Sequence, residues 1–135
     1  MARYVIDAPT LLHLVANGVQ VSPRHQIVAP NLIRSQALSL LLEAVRHGDL
    51  TEDLALQHHE RLTELKMRLL GDRVSRRTAW KIAREQGWKT TYDAEYVAVT
   101  KLQADALITV NPALASKAKD LVPLAQLDAL IADRD

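Results

Sequence analysis

The chain has 135 residues, 48% of them hydrophobic and 24% charged, and its 17 basic and 16 acidic residues leave a net charge of +1. That length suits one domain with its own core, over residues 1–135; the composition excludes a disordered or fibrous chain, and the charge gives polyanions no global attraction. With no cysteine there is no disulfide, thiolate metal site or cysteine nucleophile, so a cytoplasmic location is the default expectation, and no run nears the about 18 apolar residues of a membrane span.

Tyr4, Val5 and Ile6 make residues 3–6 a short apolar strand that runs directly into Asp7. Pro9 and Thr10 open a helix over 11–17, in which Leu11, Leu12, Leu14 and Val15 keep helical spacing and Gly18 is the stop. A second strand, 27–29, meets Pro30. Asn31 then caps a long helix to about His47, with Leu32, Ala37, Leu40, Leu41 and Ala44 on its core face. Thr51, followed by Glu52 and Asp53, starts a helix reaching about Thr63, because a hydroxyl cap and early acids suit the positive end of the helix dipole.

Residues 65–70, bounded by Gly71, read as a brief strand. Helices are expected over 75–86, stopped by Gly87, and from Asp93 to about Leu102. Residues 106–110 are small and branched, as in a buried strand. Pro112 begins a short helix to about Lys117, residues 122–124 read as a last strand, and 127–132 as a closing helix. Strands alternating with helices imply an α/β fold with a parallel sheet covered on both faces. A ligand site then lies beyond the carboxyl ends of the strands. Asp7, the segment 30–36 and Asn111 stand there.

These segments resemble the PIN domains, and in particular the VapC-type toxins of bacterial toxin-antitoxin pairs. The resemblance rests on YVIDAPTLL around Asp7, VAPNLIRSQALSLL from Val28, TTYDAEYVAVT from Thr90 and ALITVNPALA from Ala106, in that order and spacing. It implies a PIN-like three-layer fold, with a central parallel sheet of four to five short strands flanked by helices. It also implies an endoribonuclease that cuts single-stranded RNA with magnesium or manganese, a cognate antitoxin on the faces of 31–47 and 51–63, and a homodimer. Carried over position by position, the family's acids fall on Asp7 and Asp93. Its usual glutamate falls on Gln36 and its later aspartate on Asn111, with Thr109 in the hydroxyl position.

An amide supplies an oxygen but no charge, and hard divalent cations want carboxylate oxygens. Two unit charges about 4 Å apart interact by roughly 4 kcal/mol at an effective dielectric of about 20, so two amides weaken such a site considerably. One ion on Asp7 and Asp93 is the most the pattern supports. Glu43 is a poor substitute for Gln36, since seven residues of helix separate them by about 10 Å. Glu95 points away from Asp93, and only Asp120 is left open as a further acid.

Each position also has a plain structural reading. Asp7 and Asp93 both suit helix caps, Gln36 and Asn111 suit local amide hydrogen bonds, and Thr109 suits a strand. Arg73, Arg77, Lys81 and Arg84, with Arg76 and Trp80 beside them, form a basic helix face that meets either RNA phosphates or solvent. With 4% aromatics and no phenylalanine, a multi-base stacking sheet is unsupported. His58 and His59 lack zinc spacing, Gly-rich nucleotide fingerprints are missing, and the paired acids of a phosphoacceptor receiver are missing too. Two functions stay open: a metal-dependent ribonuclease, and a degenerate PIN domain that binds RNA or a protein.

Overall fold

The structure is a computed structural model that describes residues 1–131. Its frame is a four-stranded parallel sheet in the order β3-β2-β1-β4, built from β1 (Arg3–Ile6), β2 (Gln26–Pro30), β3 (Arg68–Leu70) and β4 (Ala106–Ile108). Val5 and Ile6 of the inner strand β1 and Leu107 and Ile108 of β4 are fully buried, which explains their unbroken apolar character. In register, Tyr4 lies between Ile27 and Ala106, and Val5 between Val28 and Leu107.

Among the described residues six helices surround the sheet: α1 (Ala8–Ala16), α2 (Ile33–Arg46), α3 (Glu52–Glu64), α4 (Arg73–Gln86), α5 (Tyr92–Gln103) and α6 (Pro112–Ala118). α5 lies across β1, β2 and β4 with α4 packed against it, while α1, α2 and α3 pack on one another. This is the expected PIN-like three-layer α/β arrangement, with four strands rather than five. From β1 the chain winds outward through β2 to β3, then returns to place β4 on the other side of β1. The reversal between β1 and β4 is where such sheets open a crevice at their carboxyl ends.

Several boundaries move for identifiable reasons. α1 begins at Ala8, not Leu11, because Asp7 is its N-cap and accepts from the Thr10 backbone N–H at 3.3 Å. Asn31 does not cap α2: the cap position is Leu32, which makes no side-chain cap bond, and the Asn31 N–H instead continues the β2–β3 pairing by bonding the Leu70 carbonyl at 2.9 Å. The α2 core face is centred on Ile33, Ala37 and Leu41, with Leu32, Leu40 and Ala44 half-buried. Thr51 caps α3 as expected, accepting from the Leu54 N–H.

β3 keeps only three residues of the expected 65–70, a short edge strand of the kind that resists edge-to-edge pairing. Residues 122–124 form no strand. Leu107 bonds the Pro123 carbonyl and the Ala125 N–H in a single parallel bridge, and Pro123 has no N–H with which to extend a ladder. The closing helix is a 3-10 turn, Leu127–Leu130, and Ala132 lies outside the described residues. Among the described residues, no helix is long and apolar enough to cross a membrane.

Candidate functional site

At the crevice a cleft of about 450 Å³ is lined by Asp7, Leu32, Ser35, Gln36, Ser39, Tyr92, Asp93, Tyr96 and Asn111 among others. The four positions singled out in the sequence therefore share one site, delivered by β1, α2, α5 and the turn after β4. Asp7 is buried at 3% exposure. Its Oδ1 accepts from both the backbone N–H and the hydroxyl of Thr10, and its Oδ2 accepts from the Thr109 hydroxyl at 2.7 Å. Burial pushes the Asp7 carboxyl above its ordinary value, against the hydroxyl and N–H donors, which pull it down.

Thr10 and Thr109 knit the two strand ends together. Thr10 Oγ1 also accepts from the Val110 N–H at 3.0 Å, and Thr109 Oγ1 from the Asn111 N–H at 3.0 Å. Thr109 sits just past β4 because that strand ends at Ile108 rather than at residue 110. Its position serves to hold Asp7. Asn111 is the N-cap of α6, its Oδ1 accepting from the Ala113 N–H at 3.0 Å.

Gln36 is tied across the cleft to α5: the Tyr96 hydroxyl donates to its Oε1 at 2.6 Å. Tyr96 is 1% exposed, and burial, reinforced by the Asp7, Glu95 and Asp93 charges, holds its phenol protonated well above the usual range. Asp93 does not cap α5, whose N-cap is Thr91; it lies one residue inside the helix, half-buried. Its Oδ2 takes a 2.8 Å ion pair from Lys117 Nζ on α6. That ammonium also stands 4.4 Å from the centroid of the Trp88 ring. Sequence reasoning missed Lys117 and the role of Tyr96, since the one pairing needs α6 beside α5 and the other needs α2 beside α5.

As donors for a hard divalent ion these groups are a poor fit. Among the described residues no three His, Cys, Asp or Glu side chains gather into a metal cluster. Asp7, Gln36 and Asn111 each already accept from protein donors, and Asp93 has a cation of its own. Asp120 is exposed and Glu43 points to solvent; neither lines this cleft.

A second cleft of about 500 Å³ is lined by Asn31, Leu32, Ser35, Arg76, Ala79, Trp80, Thr91 and Glu95. It shares Leu32 and Ser35 with the first, so the two join along the start of α2. Trp80 is 62% exposed there. Arg73, Arg77 and Lys81 are exposed on α4 and line neither cleft, and Lys81 faces Glu85 at 4.0 Å.

No family model matches the chain, and no curated protein matches it. Solved structures do. PAE2754 from Pyrobaculum aerophilum superposes with a TM-score of 0.71 over 96% of this chain and 93% of its own, at 23% identity. VapBC-1 from nontypeable Haemophilus influenzae superposes with a TM-score of 0.58 over 92% of this chain and 97% of that one, at 18% identity. At these identities the likeness establishes the fold, a PIN-like α/β sheet with its crevice between β1 and β4.

Proposed function

We propose that this chain is a PIN-like domain that binds single-stranded RNA along the joined clefts and holds it without cutting it. The observation that carries this reading is the continuity of the two clefts through Leu32 and Ser35. Arg76 and the exposed Trp80 stand at one end, and the Asp7–Asn111 crevice at the other. Trp80 offers a stacking face for one base and Arg76 a phosphate contact, a pairing that single-strand binding uses without sequence preference.

The crevice favours binding over cleavage because its charge is already balanced. Asp93 is paired with Lys117, the two amides add no charge, and the buried Asp7 carboxyl is already bound by the Thr10 and Thr109 donors. A phosphate thus meets little repulsion without a bridging ion. Hydrolysis, in turn, would need a metal-activated water that this donor set is ill suited to hold.

The test is a labelled single-stranded RNA of mixed sequence, followed for binding by fluorescence anisotropy and for integrity by gel, with magnesium or manganese. Binding with intact RNA is expected, and Trp80→Ala should weaken it by about tenfold, the scale of one lost stacking contact. Metal-dependent cleavage that Asp7→Asn abolishes would instead establish the ribonuclease of the toxin class. No cleavage by the wild type but cleavage by Gln36→Glu with Asn111→Asp would identify a nuclease scaffold that has lost its ligands.

A protein-docking face has its own observation. Leu38 and Leu42 on α2 are 48% and 60% exposed, and Leu54 and Leu56 on α3 are 38% and 56% exposed. These are the helices on which the resemblance places an antitoxin, and one of the similar structures is named VapBC-1. We assign the α2 face to a second copy of this chain, the antitoxin being the other outcome of the measurement argued in the Discussion.

A further inference from the structure

We propose that Lys117 is a tethered cation that occupies the charge requirement of the β1–β4 crevice and closes it to divalent ions. The ammonium is held from two sides, by Asp93 Oδ2 at 2.8 Å and by the face of Trp88 at 4.4 Å. Local sequence starts and stops the helices that place the three groups. Asn111 caps α6 and Pro112 starts it, so the turn that places an amide at the crevice also launches the helix whose last turn carries Lys117. The negative end of that helix favours a cation there. Gly87, in the left-handed conformation, ends α4 and sets Trp88 directly after it, half-buried beneath the ammonium.

A divalent ion entering the crevice would have to take Asp93 from Lys117 and then sit beside the displaced ammonium, a like charge. The other oxygens of the crevice are already engaged by protein donors. The Asp7 oxygens accept from Thr10 and Thr109, Gln36 Oε1 from Tyr96, and Asn111 Oδ1 from the Ala113 N–H. The amide at Asn111 and the lysine at 117 are then two parts of one arrangement: a carboxylate is missing where the ion would need it, and a protein cation stands where the remaining carboxylate would offer itself. The inference concerns ion binding alone, so it stands or falls independently of whether RNA occupies the clefts.

The experiment is a manganese titration of the full chain, reading free hexaaqua manganese by electron paramagnetic resonance. The wild type should bind none up to millimolar ion, and Lys117→Met should bind at least about tenfold more tightly than the wild-type limit, the scale expected for removing one unit charge beside the ion. Lys117→Arg keeps the charge and should behave as wild type. So should Lys119→Met, an exposed lysine that does not pair with Asp93. Lys117 is 36% exposed, so its variants are expected to fold, and Lys117→Gln serves as a second neutral replacement with a circular-dichroism melt alongside. Micromolar manganese binding by the wild type would overturn the proposal. So would neutral Lys117 variants that bind no more tightly than Lys119→Met.

Discussion

Asp7 is a carboxylate with more hydrogen-bond donors than charge partners. Burial and hydrogen bonding pull its acidity in opposite directions, and burial is the larger, so its folded pKa lies above the ordinary 3.8. A raised carboxyl pKa means that the folded state binds the proton more tightly than the unfolded state does. Stability from this group is therefore fully present below 3.8 and is lost as pH rises through the folded value. Asp7→Asn removes that loss, so in chemical melts from about pH 3 to about pH 7 its stability relative to wild type should improve across this window and then level off. The opposite slope would mean that the threonine donors outweigh burial. Asp7→Ala is a different matter: it leaves the Thr10 N–H and the Thr10 and Thr109 hydroxyls without their common acceptor, for a loss of about 3 kcal/mol. Asp7 and Asn111 could be picked out in the sequence because each follows a strand end, and the resemblance to the PIN domains added Gln36 and Asp93. Lys117 could not, because its meaning depends on Asp93 and Trp88, which the fold alone brings to it.

At the level of elements, the glycines, prolines and caps located nearly every helix and strand, and the errors fall where a tertiary contact overrides a local signal. Asn31 has the chemistry of a cap but is drawn to β3 by the Leu70 carbonyl, with its side chain packed over Gly71, where any Cβ would collide with it. The basic face of α4 looked uniform in sequence. Only the packing of α4 on α5, which leaves a cleft toward the start of α2, separates Arg76 and Trp80, which line it, from Arg73 and Arg77, which do not. α2 poses the reverse question, since Leu38 and Leu42 sit one turn apart on its outer face. One exposed leucine needs no explanation, but a ridge bounded by Arg34, Arg46 and Glu43 carries both signs of charge, which lets the patch pair with its own two-fold copy. Leu38→Arg with Leu42→Arg should leave the folded monomer within about 0.5 kcal/mol of wild type per site, because both residues are exposed, while converting a dimer to a monomer by light scattering. A wild type that is already monomeric at micromolar concentration would transfer this face to a different protein partner.

For the whole molecule, the net charge of +1 provides no long-range field, so any affinity for RNA must come from the few cations that face the joined clefts. Arg76 lines one cleft, and Lys117 reaches the other only through its pair with Asp93. Neutralising about two phosphates of a single strand gives a slope of roughly −1.4 for log affinity against log salt, or about a sevenfold loss between about 50 and about 200 mM. If the strand instead lay along the outer face of α4, engaging Arg73, Arg76, Arg77, Lys81 and Arg84, the slope would steepen to about −3.5 and the loss to more than a hundredfold. A salt titration by anisotropy therefore locates the strand on the molecule without a structure of the complex. Repeating it with chelator in place of magnesium should leave the low-salt affinity unchanged, because Asp93 has its charge balanced by Lys117 rather than by an ion. An affinity that collapses on chelation would place a metal between phosphate and protein, and would return Asp7 and Asp93 to the role of ligands.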